Sequence, residues 1–144
     1  MKKSLLVLVF AVFSTGSIAR DVVADYSVKE AMSIEKISSA IGDGVSFYFG
    51  EQAHPKVAQL FGEFQSNKKT NAFGKSDKEA CQWVFASAMK SLRNRAIQEG
   101  GNAVVNIRSN YKRNLTSSTS TFQCGSGAVI AGVTLLGDIV KLEK

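Results

Sequence analysis

The sequence predicts an α+β domain, an antiparallel sheet of four or five strands with one long helix packed on one face. Three observations predict it. Ser76 to Glu99 carries a helix start signal and an apolar pattern of helical period. Gly100-Gly101 stops that helix and leads into the alternating segment Ala103 to Tyr111. Further short apolar segments, bounded by Gly, Asp or Pro, have the length and composition of strands.

Taken in order, the chain opens with Lys2 and Lys3, the apolar run Leu5 to Phe13, and Ser17-Ile18-Ala19, a small-x-small cleavage pattern. Residues 1–19 therefore read as a signal peptide, and 20–144 as a single α+β domain beginning at Arg20. The apolar run is shorter than the roughly 20 residues a membrane-spanning helix needs. No cysteine stands near the cleavage site to take a lipid. A soluble periplasmic or secreted product is expected, with no transmembrane segment in the mature chain.

Ser27 with Glu30 caps a short helix over Val28 to Met32. Gly42-Asp43-Gly44 turns the chain into an aromatic strand, Val45 to Phe49, which Gly50 ends. After His54-Pro55, Val57 to Gln65 alternates as a second strand, with Leu60 and Phe64 inward and Phe61 pointing the other way. Ser66 to Lys75 is a hydrophilic, solvated loop. Ser76 and Glu79 form a capping box, and Asp77 and Glu79 face the positive end of the helix dipole, with Arg93 and Arg95 towards the other. Ala80, Val84, Ala88, Leu92 and Ala96, flanked by Cys81, Phe85 and Met89, make the face that must be buried. In the next strand Val105, Ile107 and Ser109 share one side. A loop from Lys112 to Ser120 joins it to a long small-residue strand, Phe122 to Val133, whose glycines permit bulges or close approach under the helix. Gly137-Asp138 precedes a last strand, Ile139 to Leu142.

In an oxidising compartment, a chain with Cys81 and Cys124 as its two cysteines is expected to join them. The bridge would close a long loop, worth roughly 4 kcal/mol by chain entropy. The net charge of +6 falls to about +4 without Lys2 and Lys3, a mild bias towards anionic surfaces. Lys68, Lys69 and Lys75 form the densest positive cluster, and with Lys112 and Arg113 they make the candidate basic binding surface. Basic and aromatic residues do not interleave as a nucleic-acid surface requires, so no nucleic-acid partner is expected.

No catalytic residues, metal ligands or cofactor are assigned. Gly74-Lys75-Ser76 before a helix resembles the end of a phosphate loop, but that loop needs a glycine at position 69, which is Lys69. Helix capping accounts for Ser76. His54 is the one histidine, too few ligands for a metal site, and the serines it would have to activate sit in polar loops with no nucleophile-elbow pattern. Asn114-Leu115-Thr116 is a glycosylation sequon only in a host with that machinery.

The segments VSFYFGEQAHPKVAQ, NKKTNAFGKSDKEACQWVF and EGGNAVVNIRSNYKRN resemble small exported bacterial proteins labelled "excinuclease ATPase subunit". More distantly, the helix followed by Gly-Gly-Asn-Ala-Val-Val is similar to YbjQ-like proteins, labelled heavy-metal-binding, and to an envelope-stress sensor lipoprotein. These resemblances imply one helix across an antiparallel sheet. The first resemblance spans most of Val45 to Leu142, whereas residue by residue the two more distant ones carry over Gly101 to Val105 alone, a structural segment. The expected function is a non-catalytic periplasmic adaptor or sensor that binds an envelope protein or an anionic envelope surface. The alternatives are a periplasmic hydrolase with an unrecognised site and, following the resemblance, a nucleotide-dependent DNA-repair subunit.

Overall fold

The computed structural model describes residues 21–144 and, before them, Ala11 alone; the expected signal peptide otherwise lies outside the described residues. In chain order the elements are β1 (Val22–Ser27), α1 (Val28–Ser33), α2 (Glu35–Ile41), β2 (Ser46–Phe49) and β3 (Val57–Asn71). They continue with α3 (Asp77–Glu99), β4 (Ala103–Tyr111), β5 (Asn114–Thr116), β6 (Thr121–Ser126) and β7 (Ile130–Leu142). The seven strands make one curled sheet around β7. Along one edge β7 pairs antiparallel with all of β3, from Val57↔Leu142 to Asn71↔Ile130. Its other edge is shared, by β4 from Ala103↔Val140 to Ser109↔Leu135 and by β6 at Gly125↔Gly132 and Ser126↔Ala131. β1 extends β6 and β5 folds back on β4, both antiparallel, whereas β2 runs parallel to β4. The sheet is thus mixed and has more strands than expected.

Local signals set the helices. The Ser27 hydroxyl accepts from Glu30 N–H and the Ser76 hydroxyl from Glu79 N–H, each at 3.1 Å. Gly100 closes α3 in the left-handed region at φ 84°. Ala80, Cys81, Val84, Phe85, Ala88, Met89, Leu92 and Ala96 are all buried on one side of α3. They meet Val104, Ile107, Val133, Leu135 and Ile139 of the sheet, together with Ile37 and Ile41 of α2. The Phe85 ring stacks on Phe122 at 4.2 Å. Cys81 and Cys124 are joined, with Cα atoms 5.9 Å apart, so a covalent bond fixes the first turns of α3 to β6.

Two bulges shift which side chains face the helix. In β3 the pairing passes from Leu60↔Val140 to Gly62↔Ile139, leaving Phe61 as the extra residue, and Gly62 takes φ +132°. Phe64 packs on the core as the alternation predicts, but Phe61 packs there too and Leu60 is 63 % exposed, so these two are reversed. In β4 the pairing shifts between Val105↔Asp138 and Arg108↔Leu136, with Asn106 at φ 50°. Val105 consequently lies in a second small cluster with Ala103, Val140 and Leu142, and Ile107 in the main core, so the two do not share a side.

Other boundaries also differ from expectation. Ser66 to Asn71 belongs to β3, because β7 offers paired backbone groups along its whole length. Phe122 to Val133 is a hairpin, β6 and β7 joined by a tight turn in which Gly127 N–H donates to Ile130 O at 2.8 Å. Gly137-Asp138 lies inside β7, where a Cβ at Gly137 would collide with Val104 of the neighbouring strand. The loop after Tyr111 contains β5, reached through a two-residue turn with Lys112 at φ 50° and Arg113 at φ 63°. The Tyr111 ring lies against Gly125 and Gly132, so their missing side chains admit a tyrosine and not the long helix.

Candidate functional site

β3 is an edge strand, and α3 returns antiparallel beside it, so the two frame a groove of about 510 Å³. On α3 the residues Ser87, Lys90, Ser91, Asn94, Arg95 and Gln98 recur every three or four positions and form one polar stripe along its wall. From β3 come Phe64, Lys68 and Lys69. The lining thus holds four cations and no carboxylate. Arg95 is positioned from two sides, its guanidinium 4.8 Å above the Phe64 ring centroid and its Nε donating to Glu99 Oε1 at 2.8 Å. Lys68, Lys69 and Lys90 make no ion pair among the described residues. Ser66, one strand period from both Phe64 and Lys68, is buried, and its hydroxyl has no hydrogen-bond partner among the described residues.

The structure divides the basic residues singled out from the sequence. Lys68 and Lys69 are in a strand, not a loop, and join Lys90 and Arg95 in the groove. Lys75 sits in the turn after β3 with its Nζ donating to Asn71 O at 3.1 Å. Lys112 forms an ion pair with Asp21 and lies 5.6 Å from the Tyr111 ring centroid. That hydrogen bond to Lys112 lowers the Asp21 carboxyl below its ordinary value, burial opposing it, and the same bond raises Lys112. Burial, then the Asp21 charge, raises the Tyr111 hydroxyl. Arg113 is exposed at the tip of the β4–β5 turn.

A second polar cluster crosses the opposite face of the sheet. Arg108, with its side chain 13 % exposed, forms ion pairs with Glu63 and, at 3.8 Å, Asp138, and donates to Asn106 O at 2.9 Å. Two carboxylates neutralise its charge, so this cluster braces β3, β7 and β4 and does not attract an anion. His54 lies on an exposed segment with Nδ1 2.7 Å from Pro55 O and its ring against Tyr48. Among the described residues no group of three or more His, Cys, Asp or Glu side chains could hold a metal ion. No described helix is long and apolar enough to cross a membrane.

Lys90 and Arg95 were not part of the surface read from sequence. Their stripe on α3 is visible as a helical repeat of polar residues, but only the fold reveals that Lys68 lies opposite. Comparison of the chain with protein-family models, curated proteins and solved structures finds no match.

Proposed function

We propose that this is a non-catalytic periplasmic or secreted binding protein, of adaptor or sensor type, whose α3–β3 groove takes an anionic envelope component. One observation carries the reading: four cations line the groove, no carboxylate does, and three of the cations have no ion-pair partner among the described residues. Unpaired cations held side by side by a helix and a strand repel one another, and an incoming polyanion relieves that repulsion. Ser87, Ser91, Asn94 and Gln98 add neutral hydrogen-bonding groups between them, which suits a hydroxyl-rich anionic glycan. The Cys81–Cys124 bond supports the extracytoplasmic setting, since such bonds persist where the compartment is oxidising.

The test is binding of the exported protein to immobilised dextran sulfate, with neutral dextran as control. The wild type should bind the sulfated polymer and not the neutral one. Lys68→Gln with Lys90→Gln should weaken that binding by about tenfold or more, roughly 1.4 kcal/mol. Equal retention of wild type and double variant would remove the groove as the binding site.

A further inference from the structure

Large apolar side chains crowd one end of the sheet, where β3 ends and β7 begins. Ala72 to Lys75 is a tight turn, Lys75 N–H donating to Ala72 O at 3.1 Å and Gly74 at φ +75°. This is the geometry of a type II turn, which places Phe73 at its outer corner, and Phe73 is 75 % exposed. Its own N–H is held by Asn71 Oδ1 at 2.8 Å. Beside it the β6–β7 turn presents Val129 and Ile130, 59 % and 54 % exposed. Ala72 N–H donates to Val129 O at 2.7 Å, tying the two turns together. Cations surround them. Lys75 follows Phe73 by two residues, and Lys69 and Lys112 line a shared groove of about 530 Å³ with Val129 and Ile130. Asp21 is the one carboxylate of that groove, and Lys112 and the Tyr111 hydroxyl hold it. Asp77 at the start of α3 is engaged as well.

We propose that these paired turn tips seat the protein on an anionic lipid bilayer, Phe73 and Val129 entering the boundary between headgroups and acyl chains and Lys69 and Lys75 meeting lipid phosphates. A bilayer suits the feature better than a folded partner does. Two turn tips present far less than the roughly 800 Å² per partner of a stable protein interface. A small apolar wedge ringed by lysines, by contrast, combines the two signals, apolar insertion and attraction to anionic headgroups, that reversible binding at such an interface uses. The backbone hydrogen bonds within and between the turns fix the tips before contact, so docking orders little chain. This reading uses residues apart from the α3–β3 groove except for Lys69, which is left unchanged in the test so that the two readings fail separately.

The exported protein would be floated with vesicles of phosphatidylcholine, alone or mixed with phosphatidylglycerol. Flotation with the mixed vesicles is expected, about tenfold weaker with neutral ones and reduced by salt. Phe73→Ser with Val129→Ser should weaken flotation by about tenfold or more, and Lys75→Glu should weaken it on mixed vesicles only. The melting temperature should not change in Phe73→Ser, because that ring is exposed. Lys68→Gln with Lys90→Gln, which empties the other groove of two charges, should still float. Failure of the wild type to float, or equal flotation of the Phe73/Val129 variant, would overturn the proposal. So would self-association without vesicles that the same variant abolishes, an outcome that assigns the tips to a second copy of the chain.

Discussion

Lys112 and Arg113 occupy a two-residue turn at φ 50° and 63°, a region that favours glycine and asparagine. Lys112 has a reason to be there, since it reaches Asp21; the Arg113 side chain is exposed and makes no hydrogen bond or ion pair among the described residues, its backbone N–H alone donating to Asn110 O at 3.2 Å. Arg113→Gly is therefore expected to raise stability by about 0.5–1 kcal/mol, measured as a shift in the denaturant midpoint. An unchanged or lower midpoint would show that the turn carries no strain. The Asp21–Lys112 pair gives a dependence on pH. With its folded carboxyl held below the ordinary 3.8, Asp21 contributes stability at higher pH and loses it as pH falls through the folded value. Lys112, raised above 10.5, contributes up to that range and loses its share as pH rises through the folded value. Asp21→Asn should lower the melting temperature at neutral pH, and the gap from wild type should close below about pH 3.8. A gap that persists unchanged in acid would assign the effect to something other than this pair.

At the scale of elements, α3 holds its place by packing and by one covalent bond. Cys81→Ala with Cys124→Ala is expected to cost up to about 4 kcal/mol, read from denaturant midpoints of the oxidised wild type and the variant. Equal midpoints would mean that closing this loop contributes nothing. Non-reducing peptide mapping should show Cys81 and Cys124 in one linked fragment. What was legible in the sequence here is what local chemistry decides: the Ser27 and Ser76 caps, the Gly100 stop, the buried stripe of α3 and the pairing of two cysteines. The phase of the strands was not. A single extra residue at Phe61 or Asn106 reverses every following side chain, and no local signal distinguishes a bulged Asn106 from a paired one. Gly137-Asp138 likewise has turn composition yet lies inside a strand, because Val104 and Leu92 press on the space a side chain would fill. The groove was half legible: Lys68 and Lys69 were marked by charge, while Lys90 and Arg95 needed the knowledge of which strand lies beside α3.

For the molecule as a whole, charge is unevenly used. On the opposite sheet face Arg108 is neutralised by Glu63 and Asp138, whereas Lys68, Lys69 and Lys90 of the α3–β3 groove have no ion-pair partner among the described residues. Binding of dextran sulfate should therefore fall with rising salt, and the double-logarithmic slope should shrink by about one for each groove lysine replaced. A slope that does not change between wild type and variant would place the bound polymer elsewhere.

The position of β7 sets the order in which this domain can be made. It is the strand on which β3, β4 and β6 all depend, and it follows every other strand in the chain. In a chain that emerges amino terminus first, Ile130 to Leu142 would arrive after all their partners. Until then β3 has no strand to pair with, and the β1–β6 and β2–β4–β5 sets are not joined into one sheet. If the chain is exported as proposed, the joining of these parts into one sheet waits for β7. A ribosome that stops early would deliver a chain with a helix but without the middle of its sheet.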